Sequence, residues 1–177
     1  ARLTNKGPMP QFTSCCPAWV KYAEVYHPEL LDNLSTCKSP IGMQCAIIKE
    51  FFSKEKNIDP SKIITVAITP CTSKKMEARE YTINIDYVMT ASELSILLKE
   101  EDLNLNSLND SEYDKLLGEG SGAGVIFGNS GGVTESVIRT LYRIMTKTNL
   151  KKDQLVFNDL RGFDGIKEAT IEIHNYK

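Results

Sequence analysis

The chain has 177 residues, of which 41% are hydrophobic and 25% charged, and its formal net charge is -2. This length and composition are typical of one soluble globular domain, or of two small ones, with enough apolar residues for a core. The near-neutral charge argues against a nucleic-acid partner, and no apolar run is long enough to span a membrane. No signal-peptide pattern opens the chain, and because its first residue is not Met we expect the interior of a longer protein.

Two helices and one strand are predicted in the first part of the chain. Apolar residues recur at helical spacing over residues 17–29 and again over residues 40–54. Pro17 lies at the start of the first helix, where its missing N–H costs no hydrogen bond. The run "IITVAIT", residues 63–69, is apolar and β-branched nearly throughout, which predicts a strand buried on both faces.

The same order of strand and helix repeats downstream. A strand is predicted over residues 85–90, and Thr90 with Glu93 forms a capping box that begins a helix over residues 91–101. After a polar stretch, "GAGVIF" predicts a short buried strand, "GNSGG" a glycine turn and "VTESVIRTLYRIMTKT" a helix, and "LVFNDL" and "IKEATIEIH" predict two closing strands. Strands that alternate with helices predict an α/β fold with a mainly parallel sheet flanked by helices.

Five cysteines stand at positions 15, 16, 37, 45 and 71. Their odd number and irregular spacing favour a reducing compartment, so the thiols are candidates for metal binding or reactivity. We expect Cys37 and Cys45 to be ordinary buried residues, because a free cysteine packs as a small hydrophobe. The adjacent Cys15 and Cys16 would form only a strained disulfide and lack the spacing of a zinc knuckle, so they either do different jobs or none.

Cys71 follows a predicted strand in "VAITPCTSKK", and in open α/β sheets ligands bind beyond the carboxyl ends of the strands. Lys74 and Lys75 lie close behind it, and a nearby ammonium supports the thiolate that binds metal. A buried loop cysteine with solvent-facing lysines explains the same residues, and the residues alone leave both interpretations open. Two thiolates from separate loops, Cys16 and Cys71, would hold half of a four-cysteine iron–sulfur site.

The glycine-rich turn and the two histidines give no support to nucleotide binding or to hydrolase chemistry. "GNSGG" lies before a helix as a phosphate cradle does, but it lacks the Gly-Lys-Ser/Thr of a P-loop and the spacing of a dinucleotide fingerprint. We therefore favour a turn at which the backbone approaches a neighbour closely. Neither His27 nor His174 stands in an arrangement that suggests a catalytic triad, so hydrolase chemistry has no support.

Four stretches, taken together, resemble one family. "FTSCCPAWVKYAEVYHPELLDNLSTCKSP", "ITPCTSKKMEA", "GAGVIFGNSGGVTESVIRTLY" and "LRGFDGIKEATIEI" are similar, in this order and over residues 10–173, to the catalytic domain of iron-only, or [FeFe], hydrogenases. The resemblance implies that residues 1–177 are a single α/β portion from the centre of a two-lobed catalytic domain. It also implies a ferredoxin-type hydrogenase, which reversibly combines two protons and two electrons into H2 at an H-cluster, a [4Fe–4S] cluster joined to a di-iron subcluster.

The resemblance assigns roles to single residues. Cys16 and Cys71 match ligands of the [4Fe–4S] cluster, and Cys15 matches the unligated thiol that passes a proton to the di-iron subcluster. Lys74 matches a residue that hydrogen-bonds a cyanide ligand there. The other matched positions are Ser35 as a proton-pathway hydroxyl, Glu77 as an acid around the ligands, and Pro70, Phe127 and Gly128 as residues that line the cofactor pocket.

Two positions depart from the pattern of the family. Thr69 replaces a methionine that packs beside the di-iron centre, and Ile41 replaces a glutamine close to the cluster. Both substitutions change the polarity next to the cofactor. They give weight to a second interpretation, a non-catalytic iron–sulfur relative that senses hydrogen or acts in iron–sulfur cluster assembly.

The third cysteine motif of the family does not occur before Lys177. We therefore expect the chain alone to be inactive and to lack the H-cluster, a cofactor that belongs to the full-length parent. The expected partners are a ferredoxin or similar electron carrier and the remaining segments of the parent chain, with H2 and protons as substrates. The expected location is the cytoplasm or a hydrogenosome-like anaerobic organelle.

Overall fold

The computed structural model describes Arg2 and residues 6–80, 84–114 and 116–173. It divides into two compact units, Ala1–Leu117 and Gly118–Lys177. The fold is α/β, with helices around a small parallel sheet in the first unit and a helix pair in the second. Among the helices of the described ranges, none is both long and apolar enough to cross a membrane.

Helices dominate the first unit, where the three predicted helices are confirmed and Ser73–Glu80 is a further helix that the sequence did not predict. Their bounds are Pro17–Tyr26 (α1), Pro40–Ile47 (α2), Ser53–Lys56 (α3), Ser73–Glu80 (α4) and Ala91–Glu100 (α5), with a π-helical turn, Ile48–Phe52, that joins α2 to α3. Short 3-10 helices cover Pro28–Asn33, Pro60–Lys62 and Leu105–Ser107. Helix α1 ends at Tyr26 rather than at residue 29, because the residue before a proline disfavours the helical conformation and Pro28 follows His27.

Local chemistry at the helix starts agrees with the sequence. Pro17 and Pro40 occupy the first turns of α1 and α2. At α5 the predicted capping box is present, with the Glu93 N–H donating to Thr90 Oγ1 at 3.2 Å and the Thr90 N–H donating to Glu93 Oε2 at 2.8 Å. Hydrogen bonds from the Lys75 ammonium and then from Thr90 lower the pKa of Glu93 to about 2. The carboxylate therefore stays ionised at the helix start, where a negative charge is favoured.

Two parallel strands carry the first unit's sheet. Strand β1, Val66–Thr69, pairs with β2, Tyr87–Thr90, in a register that places Val66 opposite Tyr87. The prediction that β1 is buried on both faces is wrong, since Val66 and Ile68 are 54% and 56% exposed. Successive side chains of a strand point to opposite faces, and only the face with Ala67 meets the apolar core.

The core beneath this sheet is small and contains one of the cysteines. Ala67 packs with Cys45 and Ile85, and Ile41 lies against this cluster. Burial raises the pKa of the Cys45 thiol, so the expectation of an ordinary buried cysteine is confirmed there. The same expectation is wrong for Cys37, which is exposed in the segment before α2, where its peptide group is held by polar side chains.

The second unit replaces a predicted strand by a helix. Residues Gly122–Ile126 form helix α6, in which Val125 is 79% exposed, so the short buried strand expected in "GAGVIF" is wrong. A short apolar run does not distinguish a strand from a helix by periodicity. Helix α7 spans Gly132–Thr146, and the closing strands are an antiparallel pair of two residues each, Asn158–Asp159 (β3) and Lys167–Glu168 (β4). His174 lies outside the described residues.

The glycine turn between α6 and α7 is a close backbone approach, as predicted. Gly131 has φ +74°, a conformation that favours glycine. A Cβ atom on Gly132 would lie 2.0 Å from the carbonyl oxygen of Ile126 and 2.9 Å from its carbonyl carbon. Glycine at position 132 therefore lets the first turn of α7 lie against the end of α6.

We expect Gly132→Ala to destabilise the second unit by more than about 1 kcal/mol, because the new methyl group must displace backbone atoms. The matched control is Gly124→Ala in α6, where no heavy atom lies within 4 Å of the added Cβ and helix propensity favours alanine by up to about 1 kcal/mol. Urea unfolding followed by circular dichroism measures both. Equal stability of the two variants would contradict the close approach.

Candidate metal centre

Lys74 fastens together the two loops that carry the candidate ligands. It lies in the first turn of α4, three residues after Cys71, and its Nζ donates to the backbone carbonyl of Cys15 at 2.7 Å. The same Nζ donates to Glu77 Oε2 at 2.8 Å. The chain around Cys15 and Cys16 is thereby held against the helix that follows Cys71.

The ion pair between Lys74 and Glu77 is buried, which makes it costly to break. Lys74 and Glu77 are only 8% and 5% exposed, and they form an i,i+3 ion pair on α4. Lysine and glutamate are rarely buried unless paired, because an unpaired charge in the interior loses its hydration. A lysine ammonium has three donors, and the Cys15 carbonyl and Glu77 carboxylate take two of them. The third donor is the one with which Lys74 would contact a bound anionic group.

The adjacent cysteines occupy different environments. Cys15 is half-buried, and its thiol donates to Thr13 Oγ1 at a distance of 3.9 Å. Cys16 is exposed, with an extended backbone, directly before Pro17 at the start of α1. Its carbonyl accepts the N–H of Val20 at 3.1 Å and so begins the helix. The two thiols are thus separated in exposure, as a division of roles between them requires.

Cys71 is half-buried in the short connection between β1 and α4. Its N–H donates to Thr69 Oγ1 at 3.5 Å, and its carbonyl accepts the N–H of Lys74 at 3.3 Å. Pro70, which lies between Thr69 and Cys71, is exposed. The connection therefore turns straight from the carboxyl end of the strand into the helix, the location where α/β proteins place their ligands.

Ser14, for which the sequence predicted no role, helps to organise the same region together with Ser35 and Cys37. The Ser14 hydroxyl donates to the Cys37 carbonyl at 2.8 Å, and the Cys37 N–H donates to Ser35 Oγ at 3.2 Å. Phe12 pairs with Leu34 in a parallel bridge, and the Ser35 N–H donates to the Phe12 carbonyl at 2.8 Å. The only sequence signal for this fastening was the pair of hydroxyl residues directly before the two cysteines in "FTSCCP".

The remaining predicted positions lie in three places. The Ser35 hydroxyl accepts a hydrogen bond from the backbone N–H of Cys37. Thr69 is buried at the end of β1. Ile41 packs on the core beside Cys45. Phe127 and Gly128 follow α6 in the second unit, where Phe127 is 37% exposed and its N–H donates to the Ala123 carbonyl. The roles of all these residues stay predictions.

The thiols fit part of an iron–sulfur site. Thiolates are the ligands that such clusters take, and a cubane needs four of them. Cys16 and Cys71, on loops that Lys74 connects, would supply two. Over residues 6–80, 84–114 and 116–173, no group of three or more His, Cys, Asp or Glu side chains is placed to hold a metal ion by itself. Among the described residues, these two thiols are thus candidates for half of such a donor set.

A family model described as "Iron only hydrogenase large subunit, C-terminal domain" matches residues 1–177. The chain belongs to this family. It is 44% identical, over 180 residues, to the periplasmic [Fe] hydrogenase large subunit of Nitratidesulfovibrio vulgaris, and the match covers 97% of this chain and 42% of that protein. It is 42% identical, over 182 residues, to iron hydrogenase 1 of Clostridium pasteurianum, covering 99% of this chain and 31% of that protein.

Solved structures confirm the fold class of this hydrogenase-family chain. An apo variant of [FeFe]-hydrogenase HydA1 from Chlamydomonas reinhardtii matches it with a TM-score of 0.76 and 41% identity, over 94% of this chain and 43% of that one. The chain thus spans less than half the length of the relatives that it matches.

The family relationship extends to proteins with another name. The cytosolic Fe-S cluster assembly factor narfl of Xenopus tropicalis is 33% identical to this chain, covering 95% of it and 37% of that protein. The relatives of this chain therefore include proteins named as hydrogenases and a protein named as an iron–sulfur cluster assembly factor.

Proposed function

We propose that the chain is a central portion of the catalytic domain of an [FeFe] hydrogenase, and that its parent protein reversibly combines two protons and two electrons into H2. The observation that carries this proposal is the hydrogen bond from the buried Lys74 to the Cys15 carbonyl. It brings the first two cysteine motifs together in one place, with one candidate ligand on each. The identity with hydrogenase large subunits supports the same assignment.

Each residue at the site has a separate task in this proposal. Cys16 and Cys71 would hold the [4Fe–4S] cluster, and Lys74 would bind an anionic ligand of the di-iron subcluster through its third donor. When bound, the H-cluster would transfer electrons received from the carrier and provide the metal site for hydrogen chemistry. Cys15 holds and moves a proton at Sγ, which lies at 3.9 Å from the Thr13 hydroxyl.

The other proposed roles follow the resemblance. Ser35 would serve the proton pathway and Glu77 would orient Lys74, to which it is paired. Pro70, Phe127 and Gly128 would line the cofactor pocket. The proposed electron carrier is a ferredoxin or a similar protein, the other two ligands come from the remaining segments of the parent chain, and the proposed location is the cytoplasm or an anaerobic organelle.

The test is hydrogen evolution by the full-length parent, matured anaerobically and supplied with a chemical reductant. We expect activity in the wild type. In Cys15→Ala we expect an unchanged iron content and a loss of turnover of about 10²–10⁴-fold, the usual contribution of a general acid. Cys37→Ala, which removes an exposed thiol, is the control and should keep full activity. Full turnover in Cys15→Ala, or a variant without iron, would contradict the proton-donor role.

A second candidate function rests on Thr69 and on the assembly-factor relative. A short hydroxyl side chain, 8% exposed, stands where the family pattern has a methionine beside the di-iron centre. In the same experiment, a wild-type protein that contains the complete H-cluster but evolves no hydrogen would indicate a hydrogen sensor. A silent protein that contains cubane iron alone would indicate a role in cluster assembly.

A further inference from the structure

Aromatic rings form a continuous series on and before helix α1. Phe12 meets Trp19 edge to face, with ring centroids 5.7 Å apart. Trp19 stacks on Tyr22 at 6.2 Å with an interplanar angle of 28°, and Tyr22 lies 5.2 Å from Tyr26. Trp19 is the only tryptophan of the chain. Rings in contact exchange electrons readily, because the rate of electron tunnelling falls steeply with distance.

The hydroxyl of Tyr22 is within hydrogen-bond distance of a base, the imidazole of His27. The Tyr22 hydroxyl lies 3.2 Å from His27 Nε2, and His27 Nδ1 lies 3.1 Å from Glu29 Oε1. The backbone N–H of Glu29 and then the hydrogen bond from His27 lower the pKa of the Glu29 carboxyl. In the tautomer whose Nδ1–H donates to this carboxylate, Nε2 accepts a hydrogen bond from the Tyr22 hydroxyl, and this is the tautomer that proton transfer from Tyr22 requires.

This arrangement makes Tyr22 easier to oxidise than a tyrosine whose hydroxyl has no base beside it. A tyrosine that loses one electron becomes a strong acid and must lose its proton. A phenol whose proton already points at an imidazole nitrogen can release both together, and Glu29 stabilises the imidazolium that results. Tyr22 combines this proton acceptor with direct stacking on the single indole.

We propose that Trp19, Tyr22 and His27 form a one-electron relay. An outer-sphere one-electron oxidant, such as an oxygen-derived radical, takes one electron from the Trp19 indole. Tyr22 then gives one electron to the oxidised indole and its hydroxyl proton to His27 Nε2. The products are restored Trp19, a neutral Tyr22 phenoxyl radical and a His27 imidazolium that is paired with the Glu29 carboxylate.

The location of the relay suggests its use. Trp19 stands three residues after Cys16, within the first turn of the helix that begins there, while Tyr22 and His27 are 48% and 41% exposed. The relay would therefore lead oxidising equivalents away from the segment of the proposed ligand Cys16 and toward solvent. This use rests on the proposed function, whereas the relay itself does not require a metal.

The relay is tested in the metal-free chain with photogenerated ruthenium(III) tris(bipyridine) as the oxidant. Transient absorption follows the indole radical, which can come only from Trp19, and freeze-quench electron paramagnetic resonance identifies the phenoxyl radical. We expect Tyr22→Phe to lengthen the lifetime of the indole radical by about tenfold or more, which corresponds to an activation free energy about 1.4 kcal/mol higher. His27→Phe, which keeps a ring but removes the base, should slow phenoxyl formation in the same direction, and deuterated solvent should slow it in the wild type.

Tyr26→Phe is the matched control, since it removes a phenol hydroxyl one turn away on the same helix. It should leave the lifetime of the indole radical unchanged. An equal lifetime in the wild type and Tyr22→Phe, or a longer one in Tyr26→Phe alone, would show that the rings only pack and would overturn the proposal. Because the measurement needs no iron, a failure of the relay and a failure of the cluster assignment give separate results.

Discussion

Replacing Cys16 or Cys71 by alanine in the full-length parent is expected to remove nearly all of the cluster iron while the chain still folds. Each variant would delete one of the four thiolates that a four-cysteine cubane site requires, so we expect cluster assembly to fail. The exposed Cys16 and the half-buried Cys71 make no core contact of the kind that Cys45 makes, so the loss should not extend to the fold. Iron and sulfide content after anaerobic reconstitution, with the visible absorption of the cluster, measures the effect.

Two cysteines serve as matched controls for this experiment. Cys37→Ala removes a thiol from a segment that is bonded to the same loop through Ser14, and it should keep the full iron content. Cys45→Ala removes a buried thiol from the core beneath the sheet, and it should lower stability without lowering the iron content of the folded protein. Full iron content in either Cys16→Ala or Cys71→Ala would refute the ligand assignment.

The second large effect is expected at the buried ion pair. Lys74→Met should lower the free energy of unfolding of the first unit by about 3–5 kcal/mol, because it leaves the Glu77 carboxylate buried without its partner. It also removes the bond to the Cys15 carbonyl. Glu77→Met should be similarly costly, since it strands the Lys74 ammonium. Urea unfolding, followed by the fluorescence of the single Trp19 in the same unit, measures these values.

The double variant Lys74→Met/Glu77→Met separates the two contributions. With both charges replaced by apolar groups of similar length, most of the loss should be recovered, and the remaining deficit should be about 1–2 kcal/mol for the lost carbonyl contact. Lys21→Met is the control: Lys21 pairs with Glu80 on α4 at 3.3 Å, but its side chain is 45% exposed, and surface pairs contribute about 0–1 kcal/mol. If Lys74→Met cost no more than Lys21→Met, the buried fastening would be refuted.

Local chemistry was the part of the fold that the sequence predicted well. The capping box of Thr90 and Glu93, Pro17 at the start of α1 and the close approach at Gly132 each depend on a few neighbouring residues. The errors arose where tertiary packing decides. Apolar residues in "VAIT" and "GAGVIF" predicted burial, yet half of β1 and most of α6 face outward, because periodicity does not reveal what lies on each face.

The resemblance supplied candidate residues for the site, but the sequence did not predict the contact that connects them. The motif resemblance named Cys16, Cys71 and Lys74, and their roles stay predictions. The contact that joins the motifs connects Lys74 with a carbonyl 59 residues away. A backbone carbonyl is present at every position, so no pattern of residue types can reveal that this one is the acceptor.

The hydrogen bond from Lys74 to the backbone carbonyl of Cys15 has a consequence for how such proteins diversify. Because Lys74 holds the peptide group of Cys15 and not its thiol, the side chain at position 15 is left to vary while the loop keeps its course. A lineage could exchange that thiol, and with it the proton transfer that we propose for it, without first having to rebuild the loop. An ancestral enzyme and a descendant that has abandoned turnover can in this way share one architecture.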